Sequence, residues 1–337
     1  MLLAKAHGPV SNATTLQIGV IGCGRISQPH LRHLSELEGA RVVATCDLVR
    51  DRADRAAAPW NAVVFEDYRR LLEDVELDAV YVLTPTPTHA DIGCAVLQSG
   101  RHLLIEKPLA TSREEADRLV AAAAASGKTT SVGHQWRYLL GVDRARDALG
   151  DEPLALVHGW YYWTWPLVSW IAEHKTGGGQ MLDQGIHMID LARYFAGDVD
   201  EVSAAYTLAA RRNESFPNFD AQILHGRHQS GSLLAIIATY ALFKEITEPP
   251  TLDLIARDLL VRITPKGTEI SRPGQVNMFY EPEDAMVALD HSFVTACLTG
   301  DRSLIRSTIA DASRSLAVVM NGNDSAASSS SRSAALP

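Results

Sequence analysis

The sequence predicts an α/β protein of two domains, the first built on a doubly wound parallel sheet and the second on a run of strands. Three observations carry this. Through residues 14–138, short apolar runs alternate with helical patterns, as in a parallel sheet covered by helices on both faces. A glycine-rich turn, Gly22-Cys23-Gly24-Arg25-Ile26-Ser27, follows the first apolar run and opens a helix. Beyond Ala196-Gly197 the pattern becomes strand-like runs separated by turns. A chain of 337 residues has room for two domains at the usual ~100–200 residues each.

The first run, Leu16–Ile21, reads as a buried strand, and Leu31, Leu34 and Leu37 continue the helix behind the glycines. Gly22 permits the tight turn. Gly24 lets the backbone approach a pyrophosphate, whose charge the helix N-terminus stabilises. Ser27 stands where glycine or alanine is usual and is small enough to keep helix and strand close. The next strand, 41–46, runs into Asp47. An acid about 20 residues past the glycines hydrogen-bonds the ribose hydroxyls of NAD and repels the extra phosphate of NADP. Arg50 and Arg52 follow closely and could accommodate that phosphate, so NADP stays open. The other reading of Asp47 is a cap on the helix over 51–58.

Strand-like runs at 62–65, 78–83, 103–105 and 129–133 alternate with helical patterns at 68–72, 89–99 and 112–125. Ligands of such sheets bind beyond the carboxyl ends of the strands. Thr84-Pro85-Thr86-Pro87-Thr88-His89, Glu106-Lys107-Pro108 and His134-Gln135-Trp136-Arg137-Tyr138 all fall there. Lys107, between a buried strand and a proline, cannot easily swing into water. That favours catalytic or hydrogen-bonding use over a surface pair with Glu106.

After the connecting helix at 142–149 and an aromatic strand at 154–163, Gly177-Gly178-Gly179 runs into an apparent helix. Asp183, His187 and Asp190 lie near one face of it, beside an apolar stripe of Leu182, Ile186 and Ile189. A carboxylate and an imidazole so placed suit proton transfer, metal binding or a merely satisfied polar face. Trp165 and Trp170 stand in the loop that leads in, a natural wall for a sugar ring, with His174 and Lys175 exposed beside them. Strands at 199–208, 221–225, 232–240, 252–256 and 259–263 follow, then helices at 290–298 and 309–319. His225, Arg227 and His228 have no ligand-like partner and read as sheet-surface residues.

Residues 1–13 read as a flexible leader. Residues 325–337, rich in serine and alanine, read as a mobile tail. A net charge of −9 argues against nucleic acid as a partner. No run reaches the ~20 apolar residues of a membrane span, and the start has no signal-peptide pattern. Cys23, Cys46, Cys94 and Cys297 have neither metal-site nor disulfide spacing, which points to a reducing, cytoplasmic setting.

In order from about Leu16 to about Val319 stand Gly22-Cys23-Gly24-Arg25-Ile26, Asp47, Thr84-Pro85-x-x-x-His89, Glu106-Lys107-Pro108 and Gly177-Gly178-Gly179…Asp183-x-x-x-His187. Together they resemble the glucose–fructose oxidoreductase / inositol dehydrogenase / MocA family of nicotinamide-dependent sugar and polyol dehydrogenases. The resemblance implies a Rossmann domain over 14–138. Over 139–324 it implies an α/β domain with a large open mixed, mostly antiparallel sheet that joins subunits into a homodimer or homotetramer. It implies a catalytic set of Lys107, Asp183 and His187, with His187 moving the proton, and a cis Lys107–Pro108 bond. Cofactor contacts are then expected at Gly22, Gly24, Arg25, Ile26, Asp47, Thr84, Pro85, His89, Glu106 and Lys107. Substrate contacts are expected at Arg137, Trp165, Trp170, Asp183 and His187, and no metal is expected. The family's Asn-Arg-Arg-Phe-like segment is replaced here by Gln135-Trp136-Arg137-Tyr138. The glycines before Asp183 would serve close backbone approach where cofactor and substrate meet.

The activity this implies is NAD(P)-dependent interconversion of a secondary alcohol and a ketone on a sugar, sugar derivative or cyclitol, with NAD the expected cofactor. Two alternatives share the same residues. One is a redox-neutral sugar-modifying enzyme that retains its cofactor, and the other is a non-catalytic dinucleotide-binding regulator.

Overall fold

The computed structural model describes residues 15–333, apart from 167, 244–247 and 283. The expected leader at 1–13 therefore lies outside the described residues. In the first sheet, β1 (Leu16–Ile21) is apolar on both faces and is accordingly central. It pairs in parallel with β2 (Ala40–Cys46) on one side and β4 (Ala79–Val82) on the other. Every residue of β4 is buried. β3 (Val63–Phe65) extends the sheet beyond β2, and β5 (His102–Ile105) and β6 (Thr130–Val132) extend it beyond β4. The order is β3-β2-β1-β4-β5-β6. It reverses at β1, so the crevice past the ends of β1 and β4 is where such a sheet takes its ligand.

Helices α1 (Ser27–Glu36), α2 (Arg50–Ala57), α3 (Tyr68–Asp74), α4 (His89–Gln98) and α5 (Arg113–Ser126) make the crossovers. Local chemistry sets their ends. Asp67 accepts the backbone N–H of Arg69 at the start of α3, and Ser112 accepts that of Glu115 at the start of α5. Gly127, at φ 61°, ends α5 in the left-handed region.

From α6 (Leu140–Leu149) the chain enters the second sheet at β7 (Leu156–Thr164). Three short helices and one longer one follow: α7 (Ser169–Ala172), α8 (His174–Gly177), α9 (Gln180–Asp183) and α10 (Gly185–Ala196). Then come β8 (Val199–Thr207), β9 (Ala221–His228), β10 (Leu233–Leu242), β11 (Thr251–Ala256), β12 (Leu259–Thr264), β13 (Gly267–Arg272) and β14 (Gln275–Tyr280). The sheet order is β14-β13-β12-β11-β7-β10-β9-β8. Only the β7–β10 pair is parallel among these neighbours, so the sheet is mixed and mostly antiparallel, as expected. Along β10, Leu234, Ile236, Ala238 and Tyr240 are buried toward α10, while Leu233 and Ile237 alternate outward. β13 and β14 are not evident in the sequence. Glu269, Ser271 and Asn277 interrupt their apolar alternation, and Pro265 and Pro273-Gly274 read only as turns.

The single helix expected through Asp183 and His187 is two. Gln184, at φ −111° and ψ −38°, separates α9 from α10. The preceding glycines serve the chain's own packing. A Cβ on Gly178 would fall 2.2 Å from the Leu182 side chain, and one on Gly179 would fall 2.8 Å from Gln222 Nε2. Both residues have positive φ, which suits glycine.

Two further helices, α11 (Ala285–Thr299) and α12 (Ile309–Ser333), return to the first domain. Phe293 of α11 packs edge-on against Tyr81 of β4, with ring centroids 5.5 Å apart. α12 continues past 325, where composition suggests a loose tail. Contacts hold the helix up to the start of that stretch: Asn323 accepts from Tyr206 Oη at 2.6 Å, Asp324 pairs with Arg113 at 2.7 Å, and Ala326 is buried. Small side chains let the helix lie close to β8 and β9. A Cβ on Gly322 would sit 2.7 Å from Leu224. No helix among the described residues is long and apolar enough to cross a membrane.

Candidate active site

The glycine turn and Asp47 are built as one unit. The Cys23 N–H donates to Asp47 Oδ2 at 2.8 Å, and the Val49 N–H donates to Oδ1 at 2.8 Å. The carboxylate thus fixes the turn while each oxygen keeps a lone pair for a hydroxyl. Gly22 has φ 92°, and a Cβ there would be 2.6 Å from the Leu83 carbonyl carbon, so no other residue fits. A Cβ on Gly24 would meet nothing within 4 Å, which leaves its backbone open to a ligand. The N-terminus of α1 has no side-chain cap, so its N–H groups are available to an anion. Ser27 is buried and donates back to the Gly24 carbonyl at 2.7 Å. Arg25 and Ile26 are exposed beside the turn, and Thr84 and Pro85 border the crevice at the end of β4. These features fit a dinucleotide. Arg50 is paired with Asp54 and Glu66, which disfavours its use on a ribose phosphate.

Lys107 follows β5 and reaches into the second domain. Its Nζ donates to the Asp183 carbonyl at 2.7 Å and lies 3.2 Å from Asp183 Oδ1. Asp183 Oδ2 accepts from Tyr240 Oη at 3.1 Å. Burial and the neighbouring Asp183 push the Tyr240 hydroxyl well above its usual range, so it remains a donor. The Lys107–Pro108 bond is cis, as the resemblance implies. One turn beyond Asp183, His187 is nine-tenths buried, and its ring stacks on Trp136 at 5.8 Å and 21°. Burial, then the charge of Lys107 and the neighbouring His134, hold this imidazole well below 6.5. His187 is therefore neutral near pH 7 and able to accept a proton. The structure thus brings together Lys107 and Asp183, far apart in sequence, with His187 one turn away.

Three of the expected ligand contacts are placed otherwise. Arg137 is not on the crevice. It is buried and makes two bonds to Asp190, Nε to Oδ2 at 2.6 Å and Nη2 to Oδ1 at 2.7 Å. Its Nη1 reaches the Arg306 carbonyl and Asp311. All three nitrogens are spent on the protein. His89 is fully buried, with Nδ1 3.0 Å from the Pro108 carbonyl oxygen and Nε2 2.9 Å from that of Thr84. It ties the Thr84-Pro85 turn to the Lys107-Pro108 turn with both ring nitrogens. Glu106 is also buried. Its Oε2 accepts the Lys107 N–H at 3.0 Å, and its Oε1 lies 3.4 Å from His30 Nε2. Although burial disfavours a charged His30, Asp290 and Glu106 push it up to about 10. A buried imidazolium therefore braces the strand end that carries Lys107.

Trp165 packs on Phe216 with centroids 4.5 Å apart, and Phe216 meets Tyr240 edge-on at 6.4 Å. Trp165 is thus two rings from Asp183. Trp170 lies in α7, where its carbonyl accepts from Thr176. His174, expected to be exposed, is half-buried edge-on against Phe219, whereas Lys175 is exposed. Tyr240 is a residue of the site that sequence reasoning missed, and His134 and Trp136, though placed at a strand end, were given no role there. Tyr240 had one visible signal: it keeps the buried parity of Leu234, Ile236 and Ala238 to the end of its strand.

Residues 16–134 match the model of the oxidoreductase family with an NAD-binding Rossmann fold, and residues 146–247 match the GFO/IDH/MocA C-terminal domain. An inositol 2-dehydrogenase of Salmonella typhimurium is 30% identical over 192 residues, 55% of either chain. A D-apiose dehydrogenase of Paraburkholderia graminis is 27% identical over 248 residues, 69% of this chain and 64% of that one. The match to the inositol 2-dehydrogenase thus spans little more than half its length. Among solved structures, an oxidoreductase from Agrobacterium radiobacter, in complex with NAD+, L-tartaric acid and magnesium, superposes with a TM-score of 0.81 at 20% identity, covering 93% of this chain and 97% of that one. The WlbA dehydrogenase from Bordetella pertussis, in complex with NADH and UDP-GlcNAcA, gives 0.79 at 24% identity over 94% and 97%. At these identities the superpositions establish the fold. With both of its domains matched, the chain belongs to the GFO/IDH/MocA oxidoreductase family, and its first domain is that family's NAD-binding Rossmann fold.

Proposed function

We propose that this chain is an NAD-dependent dehydrogenase or reductase that interconverts a secondary alcohol and a ketone on a sugar, sugar derivative or cyclitol. The observation that carries the reading is Lys107, which leaves the cofactor sheet and bonds Asp183 in the other domain, beside a neutral His187. The relatives named inositol 2-dehydrogenase and D-apiose dehydrogenase point to the same substrate class.

Bound NAD supplies the hydride acceptor in oxidation and, once reduced, the hydride donor in reduction. The chain's own residues do the rest. Lys107 Nζ donates to the reacting oxygen and stabilises alkoxide charge as it develops. Asp183, held between Lys107 and Tyr240, orients the lysine and offers a carboxylate oxygen to a substrate hydroxyl. His187 takes the hydroxyl proton in oxidation and returns it in reduction. Trp165 and Trp170 wall the substrate side.

The reading is tested by screening the full chain for a nicotinamide absorbance change against a panel of polyols, sugars and nucleotide sugars. Turnover of a member of the panel, lost in His187→Ala, is expected. Turnover unaffected by that substitution contradicts the assignment.

Two further results are expected. Because His187 is held below 6.5, it is a competent base throughout the neutral range. The pH profile of kcat/KM for oxidation should be flat there and fall only as pH drops well under 6.5; a limb centred at or above 6.5 is the contrary outcome. Asp47→Ser should raise the affinity for NADP relative to NAD and weaken NAD itself, since the Cys23 N–H loses its acceptor. An unchanged ratio by titration calorimetry counts against a ribose contact.

We also propose that copies of the chain associate through the outer face of the second sheet. It carries a ladder of His158, Trp160 and Tyr162, with Ile223 and Leu233 nearly half exposed on the neighbouring strands. Light scattering that finds only monomer at working concentrations would refute this.

A further inference from the structure

We propose that His134 is a positioning residue and second proton carrier behind His187, so that the positive charge created when the substrate loses its proton comes to rest on His134, beside Asp190. The proposal rests on the reading of His187 as the acid/base group.

Two buried ring nitrogens in this region have no hydrogen-bond partner, His187 Nδ1 and His134 Nε2. A buried polar group left without a partner is destabilising. They do not bond each other directly, and a single buried water between them would satisfy both. The backbone places them for it. His134 precedes by two residues Trp136, whose ring stacks on His187. The far side of His134 is bonded to Asp190, one turn after His187 in α10.

That far side also sets the tautomer. His134 Nδ1 is 3.1 Å from Asp190 Oδ1 and 2.9 Å from Ser307 Oγ. Asp190 accepts two bonds from Arg137 and one from Ser315 Oγ. Although buried, it is held well below the usual carboxylate range by His134 and Arg137, so it stays ionised. A carboxylate at Nδ1 requires the proton there, which leaves Nε2 with its lone pair toward His187. His187 then presents Nδ1–H to the bridging water and keeps Nε2 unprotonated for the substrate.

The arrangement answers a difficulty at His187. The groups facing it are Lys107, His134 and Asp190, and with burial their sum disfavours an imidazolium. The proton has a better place one ring away. In oxidation the substrate O–H bond breaks and its proton bonds to His187 Nε2. The Nδ1–H bond of His187 breaks and its proton goes to the bridging water, which gives up one of its own to His134 Nε2. The carbinol C–H bond would break with its electron pair leaving as hydride to a nicotinamide bound in the crevice, and the C=O bond would form. His187 ends neutral with its tautomer exchanged, and the positive charge sits on His134 beside Asp190. Reduction runs the transfers in reverse.

Nitrogen-15 NMR of the imidazoles in the full, substrate-free chain tests the tautomers directly. Nδ1–H at both His134 and His187 is expected; Nε2–H at His187 overturns the proposal without any variant. His134→Gln keeps a polar group but cannot carry a proton. It should lower kcat for oxidation by about a hundredfold, with KM little changed, a displaced acid limb and shifted His187 nitrogen resonances. A His134→Gln protein that folds and keeps the wild-type kcat, pH profile and His187 resonances overturns the proposal. So does one that loses activity with those resonances and that profile unmoved, since the role is then structural. His187→Ala separates the two readings. If it kills turnover while His134→Gln is silent, only the second carrier fails; if it leaves turnover intact, the acid/base reading itself fails.

Discussion

Lys107→Met should lower kcat by about a hundred- to a thousand-fold, the loss that follows removal of one preorganised donor to a developing oxyanion. The affinity for NAD should stay near wild type, because the glycine turn and Asp47 are built without the lysine. A second effect distinguishes this variant from a merely damaged protein. Lys107 is one of the groups that hold His187 low. Its removal should move the acid limb of the kcat/KM profile toward higher pH. Stopped-flow rates with the best substrate, measured across pH, read both effects. A variant with wild-type kcat, or one whose lower rate leaves the limb unmoved, is inconsistent with a lysine at the reacting oxygen beside His187.

Arg137→Ala should cost about 3–5 kcal/mol of stability, the usual consequence of stripping one partner from a buried ion pair. The substitution leaves Asp190 facing His134 and Ser315 without its two guanidinium bonds, and it frees Asp311 and the Arg306 carbonyl. The loss joins elements distant in sequence, since Arg137 lies just after β6, Asp190 in α10 and Asp311 in α12. Thermal or denaturant unfolding should show a large decrease in midpoint. A substrate-binding arginine behaves differently: truncation raises KM and leaves the unfolding midpoint alone. That second pattern would return Arg137 to the substrate side.

Arg137 also shows where sequence stops being informative. Its position at the end of a parallel strand is a good reason to expect a ligand contact, because the rule places sites there. The rule does not say which way a side chain turns. Here Asp190 and Asp311, 53 and more residues away, decide it. His89 and Glu106 fail for the same reason: both lie at the right strand ends but turn inward, where they brace the turn that carries Lys107. What was legible depends on local chemistry. The Gly22–Asp47 unit is readable because a positive φ, a pyrophosphate and a ribose each require a particular residue type at a fixed spacing. The parallel sheet is readable because strands buried on both faces must be apolar throughout. β13 and β14 were hidden because neither alternates cleanly: Thr268 is buried in β13, and β14 exposes Val276, Met278 and Tyr280 as well as Gln275 and Asn277. The continuation of α12 past 325 was hidden because alanine and serine bury little by themselves. The helix leading there lies close to the sheet at Gly322, beside Leu224 of β9, a property of the partner surface rather than of the segment.

Lys107, Asp183 and His187 were paired by resemblance, and their geometry now gives the pairing a physical basis in Tyr240, Trp136 and a shared electrostatic field. The central claim is that hydride moves between a carbinol carbon at this site and the cofactor. The direct measurement is mass spectrometry of the nicotinamide after turnover of a substrate deuterated at the carbinol carbon. One deuterium in the released NADH is predicted, with none recovered at that carbon of the product. A substrate consumed by the protein while its deuterium stays in the product, and the nicotinamide unlabelled, would contradict the account.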